Sequence, residues 1–125
     1  MPFRSLIPPG SRFSLGQLVS ESELSGPSTA TRIWVDDVDG DGKLDILVGD
    51  NVTLVSMAKG VSKKKYAEEL EKWEKLYNAA AEAMGTAADE KERNKAQKHY
   101  QEVYQNRTAF MHDESTGYVW LYRRK

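Results

Sequence analysis

The chain contains no cysteine, which excludes a disulfide framework and metal sites built from thiolates. It also has no apolar run long enough to cross a bilayer, and its first residues lack the apolar core of a signal peptide. The 18 basic and 19 acidic residues leave a net charge of −1, so no overall field attracts nucleic acid or an anionic membrane. We therefore expect no nucleic-acid partner and no membrane span.

The sequence also lacks the usual patterns of an enzyme. The segment Gly40-Asp41-Gly42 carries a carboxylate where a phosphate-binding loop would have to accept an anion. No serine nucleophile with a histidine partner is recognisable. The two acidic residues after His112 suggest a transition-metal cluster, but consecutive residues seldom converge on one ion, and the only other histidine is His99. We therefore predict that the chain has no catalysis of its own.

Aspartates at alternating positions dominate the segment Asp37-Val38-Asp39-Gly40-Asp41-Gly42-Lys43-Leu44-Asp45. Carboxylates packed this closely repel one another, so the loop makes sense if a hard cation lies among the oxygens. In calcium loops, positions 1, 3 and 5 supply side-chain oxygens, position 6 is a glycine, position 7 supplies a carbonyl and position 9 another ligand. On this pattern Gly42 makes the turn, and the predicted Ca²⁺ ligands are Asp37, Asp39, Asp41, the carbonyl of Lys43, and Asp45.

Position 12 separates this loop from an EF-hand, which needs a bidentate glutamate there. The residue at that position is Val48, inside the apolar run Leu44 to Val48. Dockerin-like and thrombospondin-like loops also call for an acid at this point. The remaining alternative is an acidic turn that binds nothing.

The flanks of the loop carry a family resemblance. The string from Ile33 to Asp50, IWVDDVDGDGKLDILVGD, resembles the FG-GAP/VCBS repeat, the calcium-loop blade of integrin-like β-propellers, and Gly117 to Tyr122 is similar to that family's next strand. The resemblance implies that the loop joins the inner strands of a four-stranded blade and holds calcium through the residues named above. It further implies neighbouring blades or further copies of the chain as partners, and an extracellular, periplasmic or cell-surface location.

The hydrophobic period changes between these strand-like pieces. Apolar residues recur in steps of four and three, which a helix presents on one face: Tyr66, Leu70, Trp73, Tyr77, Ala80 and Met84. A weaker seam follows at Ala96, Tyr100 (or His99), Val103, Arg107 and Phe110. We expect Gly85 to end the first helix and Thr86 to cap the second, at about Ala87 to His112.

The predicted fold class is α+β: an antiparallel β-sheet of about four strands, resembling one β-propeller blade, with an inserted antiparallel helical hairpin. Residues 1–31 are predicted to form an N-terminal arm with a short edge strand around Phe13 to Val19. Residues 32–60 and 114–125 form the sheet, and residues 61–113 form the hairpin. The predicted function is a calcium-binding structural or interaction module, one blade of a larger exported repeat protein. The alternative is a protein-binding or adhesion arm that acts through the hairpin.

Overall fold

A computed structural model describes residues 7–8 and 10–124. The beginning of the predicted arm, residues 1–6, therefore lies outside the described residues. The main elements are β1 (Ala30–Asp36), β2 (Asp45–Met57), α1 (Lys63–Thr86), α2 (Glu90–Asn106) and β3 (Met111–Tyr122), with short 3-10 helices at Glu21–Glu23 and Arg107–Ala109. Three antiparallel strands and two helices confirm the α+β class. The chain divides into two compact units: one ends at Val55 and resumes at Asp113, and the other is Ser56–His112.

The sheet has the order β1-β2-β3. Strand β1 pairs antiparallel with the first half of β2, with Ile33 opposite Val48 and Val35 opposite Ile46. Instead of the predicted edge strand, the N-terminal arm contributes an isolated bridge, in which Val19 and Val55 exchange two N–H···O bonds of 2.9 and 3.0 Å. The arm does not stay extended before this bridge because the chain turns at Gly16, whose φ is 77°.

The strands differ in how far their side chains are covered. In β3 the aromatic residues Tyr118 and Trp120 are half-buried while Val119 between them is 69% exposed, as the alternation predicts. In β1 the residues Ile33, Trp34 and Val35 are 64%, 61% and 53% exposed. Strand β1 is the first strand in the sheet order, and successive residues on both of its faces are more than half exposed.

The two helices pack through the predicted seams. Tyr66, Trp73 and Ala80 are the buried residues of α1, and Val103 is the buried residue of α2. Tyr100 is half-buried while His99 is exposed, which decides between the two residues in favour of Tyr100. The hydrophobic core of this unit therefore follows the four-and-three period of the sequence.

The ends of the helices differ from the prediction. Gly85 is an ordinary helical residue of α1, which continues to Thr86. The N-cap of α2 is Asp89 rather than Thr86, because its carboxylate accepts the N–H of Glu92 at 2.8 Å while the Glu92 carboxylate accepts the N–H of Ala88 at 3.1 Å. The Asp89 carboxylate thus satisfies an N–H group that a helix start leaves free, and the Glu92 carboxylate holds the residue before the cap.

The second helix is also shorter than predicted, because it ends at Asn106 and a 3-10 turn follows. Side chains satisfy the carbonyls that have no helical partner at this end. Trp73 Nε1 donates to the Val103 carbonyl at 2.7 Å, and Arg107 Nη1 donates to the Tyr104 carbonyl at 2.8 Å. Strand β3 then begins at Met111, so the sheet resumes three residues earlier than the predicted boundary at residue 114.

Candidate metal centre

The acidic loop connects β1 to β2. The pairing of Asp36 with Asp45 at the end of the two strands brings the two ends of the loop together. Gly40 and Gly42 have φ values of 74° and 83°, and a Cβ atom at either position would meet nothing within 4 Å. Glycine is therefore needed for backbone conformation rather than for space, since an L-residue in the left-handed region costs about 1–2 kcal/mol.

This loop brings three of the predicted ligands together. Asp37, Asp39 and Asp45 each offer one carboxylate oxygen, and these three oxygens all lie within 4.8 Å of one another. Oxygens at about 2.3–2.6 Å from a calcium ion are separated by at most about 5.2 Å, so the cluster is compact enough for one coordination sphere. The acidic triad can hold a metal ion.

Asp45 is the most constrained member of the triad. Its side chain is 1% exposed, yet both of its oxygens accept backbone N–H groups, from Val38 at 3.2 Å and from Arg124 at 3.1 Å. A buried carboxylate needs such donors, since an unpaired charge away from water is strongly destabilising. Asp45 thereby joins the start of the acidic loop to the segment that follows β3.

The other loop carboxylates fold back onto the loop's own backbone. Asp37 accepts the N–H of Gly42 at 2.9 Å and that of Asp41 at 3.1 Å. Asp41 is predicted as a ligand but lies outside the triad, and its Oδ1 accepts the N–H of Lys43 at 2.8 Å. Lys43, whose carbonyl is the remaining predicted ligand, is exposed. These hydrogen bonds between loop carboxylates and loop N–H groups hold the backbone of the loop in its turned conformation.

A basic side chain that the sequence pattern did not single out lies beside the triad. Arg123 Nη1 is 3.9 Å from Asp39 Oδ2, and the two side chains are 64% and 32% exposed. A guanidinium here offsets part of the negative charge and competes electrostatically with a bound cation.

Asp50 is a second buried acid, which sequence reasoning did not assign to a role. It is 3% exposed and accepts the N–H of Thr29 at 2.7 Å, the N–H of Ser28 at 3.3 Å and Trp120 Nε1 at 3.3 Å. It therefore holds the chain before β1 and an aromatic residue of β3 against β2. In the sequence, the role of Asp50 could have been found from its place as an acidic residue within a strand-forming run. If such a strand is buried, the carboxylate needs hydrogen-bond donors.

No family model matches the chain, and comparisons with curated proteins and with solved structures found no match. Neither described helix combines the length with the apolar character needed to cross a bilayer. The class of the protein is therefore defined by its fold and its loop: an α+β protein whose strand-connecting loop presents an acidic triad that can hold a metal ion.

Proposed function

We propose that the chain is a calcium-stabilised structural or interaction module with no catalysis of its own. The observation that carries the proposal is the convergence of Asp37, Asp39 and Asp45 in the loop between two paired strands. Because that loop closes a strand pair, an ion bound there stabilises the folded sheet. Protein binding through the helical hairpin stays the alternative function.

The chemistry of the donors favours calcium over other metals. The triad offers only carboxylate oxygens, which are the ligands of hard cations, whereas zinc and copper favour nitrogen and sulfur. An exposed loop also suits calcium, which tolerates flexible and irregular geometry, better than magnesium, which demands a near-ideal octahedron. The Lys43 carbonyl, Asp41 and water are the further oxygen ligands that we expect.

The exposed apolar residues of the sheet support the proposal that the module is one blade of a larger repeat protein. Export of that protein is what the likeness to the FG-GAP/VCBS repeat implies. Ile33, Trp34 and Val35 on β1 and Val119 on β3 are each more than half exposed. Each of these side chains leaves apolar area that a neighbouring chain segment would remove from water. In a propeller, neighbouring blades cover the corresponding faces.

The test is the thermal unfolding of the sheet with and without calcium. Saturation at a hundred times the dissociation constant adds about 2.7 kcal/mol if only the folded state binds the ion. A chelator should therefore lower the Tm, and magnesium should restore it poorly. An unchanged Tm after chelation, together with no heat of calcium binding in calorimetry, would contradict the proposal.

Matched variants locate the site. Asp39→Asn keeps an oxygen that can accept the N–H of Asp41 but removes one charge of the triad, so most of the calcium-dependent rise in Tm should disappear. Asp36→Asn is the control, since Asp36 is adjacent but outside the triad and asparagine can still accept the N–H of Asp37. Asp41→Asn tests whether Asp41, which the loop pattern predicts as a ligand but which lies outside the triad, also binds the ion. Equal calcium responses in Asp39→Asn and Asp36→Asn would place the ion elsewhere.

A further inference from the structure

Strand β1 carries an exposed edge. It is the first strand in the order β1-β2-β3, and no other strand of the described residues pairs with its outer side. Natural proteins protect such edges with charges, prolines or bulges because free N–H and C=O groups invite another strand. The irregular register between Ala30 and Arg32 disturbs only the start of β1, and the apolar residues from Ile33 to Val35 carry no protecting charge.

The charges at the two ends of this segment are complementary to each other. Arg32 and Asp36 lie at equal distances on either side of Trp34. If a second β1 paired antiparallel about a two-fold axis at Trp34, each Arg32 would stand directly opposite Asp36 of the other copy. Opposite charges in cross-strand positions stabilise a strand pair, and like charges there destabilise it.

The remaining side chains fit the same register. The two Trp34 residues would lie side by side on one face, and Ile33 of each copy would lie opposite Val35 of the other on the opposite face. These three residues are each more than half exposed in the single chain, so the pairing removes apolar surface from water on both faces. In addition, Asp36 is paired with Asp45 across β1 and β2, and an Arg32 from a second copy would offset this concentration of negative charge.

We propose that the chain forms a homodimer by antiparallel pairing of the outer edge of β1 with β1 of a second copy, centred on Trp34. The strand that pairs with this edge is assigned to a second copy of the chain, because Arg32 and Asp36 of one β1 are complementary in charge to Asp36 and Arg32 of another. This inference goes beyond the calcium module and does not depend on it, since the edge residues are outside the triad.

Sedimentation velocity of the full chain tests the association. A single strand pair buries less surface than a standard interface, so the dimer should be populated at roughly 10–100 µM and above. Arg32→Asp places like charges opposite each other twice and should weaken the dimer about tenfold or more. Arg32→Asp combined with Asp36→Arg should restore it. Leu76→Lys, which alters a comparably exposed apolar residue on α1 rather than on the sheet, is the control and should leave the association unchanged.

A second experiment tests the register. The chain has no cysteine, so a single introduced thiol can form only an intermolecular disulfide. Trp34→Cys should oxidise rapidly to a covalent dimer, because directly opposed residues have the Cα separation of about 4.4–6.8 Å that a disulfide needs. Ile33→Cys should not, since the two copies of residue 33 would be offset along the strands. A monomer at all concentrations, no loss of association in Arg32→Asp, or faster oxidation of Ile33→Cys than of Trp34→Cys would each overturn the proposal.

Discussion

Trp73 gives the sharpest test of the helical hairpin. Its side chain is 3% exposed, stacks on Tyr77 with ring centroids 4.8 Å apart, and donates its indole N–H to the Val103 carbonyl at 2.7 Å. That carbonyl belongs to the last turn of α2, where carbonyls have no partner within the helix. Trp73 therefore contributes both core volume and a buried hydrogen bond between the two helices.

The two contributions can be separated by two substitutions. Trp73→Ala removes both and should lower the free energy of unfolding by about 3–5 kcal/mol, as truncation of a buried aromatic residue does. Trp73→Phe keeps an aromatic ring but leaves the Val103 carbonyl without its donor, which costs about 1–3 kcal/mol for a buried acceptor. Leu76→Ala is the matched control because Leu76 lies on the same helix but is 58% exposed. We expect it to change stability by less than about 0.5 kcal/mol.

The assay is urea unfolding followed by far-ultraviolet circular dichroism, whose signal comes mainly from the helices. The free energies are compared by linear extrapolation, with equal slopes required before the variants are compared. A loss below about 0.5 kcal/mol for Trp73→Ala would mean that the seam is wrongly assigned. A loss for Leu76→Ala as large as that for Trp73→Ala would show that the packed face of α1 is a different one.

Two further predictions concern charge. Arg123→Gln should tighten calcium binding by up to about fivefold, because an exposed ion pair such as Arg123 with Asp39 is worth at most about 1 kcal/mol. Calorimetry measures the change, with Arg93→Gln on α2 as the control that removes an exposed arginine away from the acidic loop. Weaker binding in Arg123→Gln would contradict the prediction. The hydrogen bond with Tyr100 and, to a lesser extent, burial raise the pKa of Tyr77 above its ordinary value of 10.0. The folded state then holds that proton more tightly, so its contribution to stability is complete at lower pH and falls as the pH rises above 10.0. Tyr77→Phe should show a shallower alkaline decline in Tm than the parent, and identical declines would refute this assignment.

Local patterns account for the parts of the fold that were predicted correctly. The four-and-three spacing from Tyr66 to Met84 predicted α1 and its buried face, because a helix is the conformation that aligns such residues. The likeness of Gly117 to Tyr122 to a repeat strand predicted the second half of β3. The caps were less predictable: Thr86 and Asp89 are both good N-cap residues, and only the bond from Glu92 N–H to Asp89 distinguishes them.

The sequence by itself determined the acidic loop, since the aspartates alternate within one short segment and Gly40 and Gly42 permit its turns. Tertiary structure decided which carboxylates meet, because strand pairing buries Asp45 beside Asp37 and Asp39 while the loop turns Asp41 toward its own backbone. Tertiary structure also placed Arg123 beside the triad. These outcomes depend on contacts between residues far apart in the chain, which neither hydrophobic period nor local spacing specifies.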